Sequence, residues 1–354
     1  MSQDERLMIL QMVAEKKISA AEAAELLKVL DGKEAAPPQP GPSHRGGSSF
    51  VPPPAPPARP APPTSPAHLG SGFSAFIEEV VERVSSALGD LTLTGPRHEF
   101  PAEISGQFAG EQVPLRIYTG NGHVELKGWD QPGYKAQILV KARGATEEEA
   151  RRRAHEAYLV TADEQGFQLE TNRRYDWTDL AVNVTLFLPK EKAYKLESRT
   201  GNGHISVEGV TLLDGTATSG NGRITMRGGA DRLYLKSGNG SIEVDGDVAD
   251  LEAHTGNGSI KLVPLGRRSE SHQLKTGNGS ITVDTGRLSR ETGLYVDAST
   301  GMGSVGIART DLVYERQDRN AGHKHVVARS QGYETAPVRV TLRARTGLGS
   351  VSVE

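Results

Sequence analysis

One phrase recurs eight times in this chain: a Ser or Thr, then Gly-X-Gly, then a strand-like alternation of apolar and polar residues. The copies begin at Thr119, Thr200, Ser219, Ser237, Thr255, Thr276, Thr300 and Thr346. Through the centre they follow one another at intervals of 18 to 24 residues, a period that predicts stacked repeats. Residues common to every repeat usually hold the repeats together, which weighs against a catalytic role for them. The phrase thus constrains shape far more than chemistry.

Aligning the copies on Gly-X-Gly shows what each position needs. The second residue after the turn is Val124, Ile205, Ile224, Ile242, Ile260, Ile281, Val305 or Val351. Two residues later stand Leu126, Val207, Met226, Val244, Leu262, Val283, Ile307 and Val353. Between them Glu125, Ser206, Thr225, Glu243, Lys261, Thr282, Gly306 and Ser352 point the other way. One face is always apolar and the other is unconstrained, so each phrase opens a half-buried strand. Alternation before the turn, as in Leu233 with Leu235 or Val296 with Ala298, adds a second strand to each unit.

Two architectures satisfy this pattern. Asn-Gly between alternating strands is a strong hairpin motif and would give an antiparallel meander. The near-constant period with near-identical turns suits a mainly β, single-stranded β-solenoid or β-helix-like array, its coils stacked at ~4.8 Å. The solenoid is preferred because it gives the repeated asparagines a purpose. Asn202, Asn221, Asn239, Asn257 and Asn278 are expected to form a ladder from coil to coil, with neighbouring Ser and Thr hydroxyls beside it. Glycine serves positive φ and close coil approach. Met302 and Leu348 replace Asn in the last two copies, so the ladder stops there or those coils bend differently.

Composition agrees with a narrow interior. Of 354 residues 41 are Gly, while aromatics make up only 5%, leaving Ile, Val, Leu and Ala to fill the core. The formal charge of −3 gives no overall attraction to nucleic acid or anionic lipid. With no Cys, disulfides, thiolate metal sites and a cysteine nucleophile are excluded. The opening MSQDERLMIL lacks a secretory pattern and no stretch approaches the ~20 apolar residues of a membrane span. A cytoplasmic location is therefore expected, with any membrane or envelope association peripheral and through a partner.

The N-terminal third is organised differently. Residues 1–32 read as a helical hairpin, with Leu7, Leu10, Leu26, Leu27 and Leu30 on its apolar faces and a Ser19/Glu22 capping box between the helices. So small a module is expected to dock or self-associate. Residues 33–70 form a Pro/Gly/Ser-rich linker, with 13 of the 20 prolines between Pro37 and Pro66. At 71–90 an amphipathic helix presents Phe73, Phe76, Ile77, Val80 and Val84, a face for capping the array or pairing with a second copy. Residues 100–354 hold the β-repeats, interrupted by an α+β insertion between the first two phrases and a second insertion at about 310–337. Within the first insertion Thr146 and Glu149 predict a capped helix.

No catalytic constellation stands out, and no cofactor or metal is expected. Gly-X-Gly cradles phosphate when a helix follows, but here a strand follows every time. Calcium-binding rolls need turn Asp, where this chain has Asn. Glu125 and Glu243 are the only carboxylates at the outward strand position, too sparse for a glycan-cleaving cleft. His323-Lys324-His325 lacks a third metal ligand and reads as polar loop. Arg151–Arg153 follows Glu147–Glu149 at helical spacing, as in a solvated paired helix.

ERLMILQMVAEKKISAAEAAELLKVL resembles the SHOCT-like helical hairpin of bacterial proteins. TGNGSIKL, SGNGSIEV and the upstream VNVTLFLPKEKAYKLESRTGNG resemble the DUF4097 family of glycine-rich β-strand repeats, labelled putative adhesins. The combination is similar to the layout of envelope-stress proteins of Gram-positive bacteria. The resemblance implies a non-enzymatic protein linked to cell-envelope stress, with no catalytic residues to carry over. The expectation is an oligomerising scaffold or sensor with protein partners. The rival is a surface adhesin or glycan-binding module.

Overall fold

The computed structural model describes residues 95–172, 180–320 and 322–354. The chain divides into two units, Met1–His68 and Leu69–Glu354, and every described residue belongs to the second. The hairpin expected at 1–32, the linker at 33–70 and the helix at 71–90 with Phe73, Phe76, Ile77, Val80 and Val84 lie outside the described residues.

The fold is mainly β, a solenoid of flattened coils with two sheet faces joined by the Gly-X-Gly turns. Chain order begins with β1 (Arg97–Gly106), β2 (Gln112–Asn121), β3 (Val124–Trp129) and β4 (Tyr134–Arg143). Helix α1 (Glu147–Glu156) follows, then β5 (Tyr158–Ala162), β6 (Phe167–Thr171), β7 (Leu180–Pro189) and β8 (Ala193–Asn202). Three long strands come next: β9 (Ile205–Asn221), β10 (Ile224–Asn239) and β11 (Ile242–Asn257). Each runs down one face, around the corner opposite the glycine turn, and back along the other. The remaining strands are β12 (Ile260–Pro264), β13 (Glu270–Asn278), β14 (Ile281–Val283), β15 (Gly293–Met302) and β16 (Val305–Ile307). The chain closes with β17 (Leu312–Asn320), β18 (His323–Ser330), β19 (Arg339–Leu348) and β20 (Val351–Val353).

Register is set by the alternation. Across β9, β10 and β11 the partners Ile205, Ile224 and Ile242 align, as do Val207, Met226 and Val244. Opposite them Ala217, Leu235, Ala253, Leu274 and Ala344 form one inward row. Both sets are buried, and together they make one continuous core. Small Ala facing larger Ile and Leu keeps the coil thin, which is why few aromatics are needed. A one-residue slip would expose every one of these side chains.

The order of coils departs from sequence order at both ends. On the first face the order is β5-β6-β2-β8-β9-β10-β11-β13-β19-β15-β18-β17. Thus β19, which carries the Thr346 phrase, slots between β13 and β15, and the Thr300 coil lies outside it. The second face matches, with β20 between β14 and β16. At the other end β6 and β7 form a coil outside the first phrase, pairing with β2 and β3. Coils therefore follow sequence order only in the middle of the stack.

Each end is closed by what the insertions supply. Antiparallel β4 and β1 extend the second face beyond β7, and α1 crosses from β4 to β5 with Ala150 and Ala154 buried. In the core at this end Phe108 and Tyr134 stack at 4.3 Å, with Phe167 edge-on to Tyr134 at 6.3 Å. At the far end the β17–β18 hairpin pairs antiparallel with β15. This places His323, Lys324 and His325 on a strand rather than in the polar loop expected for them; His325 Nε2 lies 2.8 Å from Asp297 Oδ1.

Candidate binding surface

The glycine turns stack into one edge of the solenoid, and its residues fall into parallel rows. The asparagine row runs Asn121, Asn202, Asn221, Asn239, Asn257, Asn278. Each Nδ2 donates to Oδ1 of the coil before it at 2.7 to 2.8 Å, from Asn202 onto Asn121 through to Asn278 onto Asn257. Five consecutive bonds of one direction result. The next two positions along the stack are Leu348 and Met302, both exposed, so the amide row ends in an apolar pair.

A second row lies beneath. The phrase hydroxyl donates to the second-glycine carbonyl of the adjoining coil: Thr200 to Gly122, Ser219 to Gly203, Ser237 to Gly222, Thr255 to Gly240 and Thr276 to Gly258. Unlike the amides, these bonds continue into the out-of-order coils, from Thr346 to Gly279 and Thr300 to Gly349. The hydroxyls are buried, so each bond also meets a polar requirement that water could not. Thr119 begins the row, and its buried Oγ1 has no partner.

The second glycine is there for room. A Cβ on Gly222 would stand 1.9 Å from the carbonyl oxygen of Gly203, and one on Gly303 would stand 1.9 Å from that of Gly349. No side chain fits at that approach.

After the turn comes a row of His123, His204, Arg223 and then serines, of which Ser304 and Ser350 lie 2.9 Å apart. His123 and His204 stack at 3.9 Å. Desolvation in that stack, with His204 alongside, lowers the His123 pKa. Its Nδ1 accepts from the His204 backbone N–H at 3.2 Å, a bond that needs the neutral ring. Nearby, Lys127 Nζ lies 2.7 Å from Glu125 and holds that carboxyl below its usual range.

Glu125 and Glu243 are not brought together. Three coil-to-coil steps separate them, through Ser206 and Thr225, or roughly 14 Å at ~4.8 Å per step. Paired glycosidase carboxylates stand ~5–9.5 Å apart. Glu243 faces Arg223 at 3.8 Å. Among the described residues no cluster of three His, Asp or Glu could hold a metal, and no helix is long and apolar enough to cross a membrane.

Comparison with known proteins adds a match at the N-terminus: residues 4–35 fit the family model of a SHOCT-like domain. No curated protein matches the sequence. Among solved structures, one of a putative cell adhesion protein from Clostridium sporogenes is similar at 12% identity and TM-score 0.34, covering 72% of this chain and 99% of that one. A putative adhesin from Bacteroides fragilis is similar at 11% identity and TM-score 0.35, covering 74% and 99%. Another from Parabacteroides distasonis stands at 9% identity and TM-score 0.30, covering 74% and 98%. What the sequence match adds to the β-solenoid is a SHOCT-like segment at residues 4–35.

Proposed function

We propose that this protein is a non-enzymatic scaffold or sensor associated with bacterial cell-envelope stress, its β-array serving as a binding surface. One observation carries the reading: the residues that recur from coil to coil are spent largely on coil-to-coil bonds. Asparagine amides, buried hydroxyls and close-packed glycines hold the stack, while the outward positions vary freely. A rigid core with variable outer rows is what a platform requires, whereas a catalytic site needs converging groups. The helical module at 1–32 and the face Phe73, Phe76, Ile77, Val80 and Val84 would assemble copies, with the Pro-rich segment at 33–70 between them as a spacer.

Crosslinking pull-down from the native host, with residues 1–90 deleted as control, tests the platform. Specific protein partners retained by the β-array support it, and none in either form defeats it. Light scattering tests assembly, since a strict monomer with and without residues 1–90 would remove that half. The second reading, a surface adhesin or glycan-binding module, is favoured by the exposed strip of Asn and Ser, neutral hydrogen-bonding groups at a regular step. It requires the protein on the outside, so cleavage by protease added to intact cells would select it.

A further inference from the structure

We infer that the outward row beside the turn edge on the first face binds an extended polyanion of carboxylates or phosphates. This rests on the platform reading and names the chemistry of its partner. The row is formed by the residue just before each phrase Ser or Thr. From β8 onward it contains Arg199, Thr218, Lys236, His254, Lys275 and Arg345 as direct register partners. Five steps of ~4.8 Å make a line of about 24 Å. No carboxylate stands in it.

Coil order makes the line continuous. In sequence order Ser299 would follow Lys275, but β19 intervenes and sets Arg345 beside Lys275 instead. Lys236 and Lys275 make no ion pair among the described residues, while Arg345 reaches Asp297 only at 3.9 Å and its side chain is 61% exposed. Glu197 and Glu252, in the next row outward, are already bonded to Arg199 and His254 at 2.8 and 2.7 Å. The formal charge of −3 for the chain therefore conceals a segregated cationic line.

Its surroundings narrow the ligand. The asparagine row borders the line, and from Asn202 to Asn278 each Nδ2 spends one hydrogen on the ladder, leaving the other as a neutral donor at the same step. Cations and amides in parallel suit an anionic chain with hydroxyls or ester oxygens along its backbone. Nucleic acid fits less well because successive bases need successive aromatic platforms. The tyrosines of these rows, Tyr118 and Tyr234, are three coils apart, and Tyr118 is covered by the Arg199 guanidinium at 5.5 Å.

The test measures binding of the full chain to labelled polygalacturonate and to inorganic polyphosphate at about 0.05 and 0.3 M salt. The row variant Lys236→Gln/Lys275→Gln/Arg345→Gln is compared with a variant of equal charge on the second face, Lys127→Gln/Arg227→Gln/Lys261→Gln. We expect salt-sensitive binding of at least one polymer, weakened at least about tenfold in the row variant and little in the other. Whichever polymer binds more tightly identifies carboxylate or phosphate as the recognised group. All substitutions are solvent-facing, and matching melting curves would show that both variants fold. Failure to bind either polymer, equal loss in both variants, or equally tight binding of single-stranded DNA overturns the assignment. If the row variant still captures the wild-type partners from the host, the platform stands and the polyanion alone is lost.

Discussion

At the scale of single residues, glycine, hydroxyl and amide divide the work of stacking. Glycine sets the distance, so Gly222→Ala should be the most damaging change in the phrase. Its Cβ would meet backbone rather than a movable side chain. We expect a loss of at least about 3 kcal/mol, read as a collapsed chemical-denaturation midpoint. The amide ladder is exposed and water can replace part of it, so Asn239→Leu should cost only about 1 kcal/mol despite breaking two bonds. A larger loss in denaturant melts would show that the amides cooperate along the row. Inside, His272 interrupts an otherwise apolar row and lies 2.8 Å from the equally buried Glu270. His272→Leu would leave that buried carboxylate with the Gly266 N–H, 2.8 Å from its Oε1, but without its imidazole partner, and we expect about 3 kcal/mol of destabilisation. Recovery in the double variant with Glu270→Gln would assign the loss to the stranded charge. The glycine and asparagine positions are legible from the repeated phrase, because every copy states the same requirement. The His272–Glu270 pair is not, since one polar residue in an alternating strand says nothing of a second two positions earlier.

Elements follow from local pattern where the pattern is local. Helix α1 begins where Thr146 predicts, with Thr146 Oγ1 accepting from Glu149 N at 3.2 Å and Glu149 reaching back to the Ala145 N–H at 3.0 Å. Arg151 and Arg153 pair with Glu147 and Glu149 one turn earlier, as their spacing implies. Thr146→Ala should lower stability by about 1 kcal/mol, seen as a reduced melting temperature with the binding surface unaltered. The long strands were harder to read. From sequence the segment after each apolar pair is a variable return; in the fold β9, β10 and β11 continue through the corner into the next face. Nothing in 18 residues of one coil announces that continuity, because the ladder bonds that hold the corner extended come from neighbouring coils.

For the molecule, the governing fact is that a parallel stack has two open ends, each a template for further strands. This chain closes both with segments that leave and re-enter the stack. The β17–β18 hairpin covers the outer edge of β15 with antiparallel pairing. Deleting Leu312–Ser330 should uncover that edge and turn a discrete species into a concentration-dependent assembly. Multi-angle light scattering checks this directly, and an unchanged molar mass would mean the edge is protected otherwise.

What the sequence determined by itself was the coil: its period, its inward rows, its asparagine and hydroxyl positions, and the glycine that lets coils approach. These are properties each copy carries alone, repeated until they are unmistakable. Only the tertiary structure decided which coil neighbours which, and hence that Arg345 completes the line begun by Lys236 and Lys275. The physical reason is that the phrases are nearly interchangeable as partners, so coil contacts alone do not rank the orders. The insertions break that tie, by how far their strands and helix can carry the chain around an end before it must rejoin the stack.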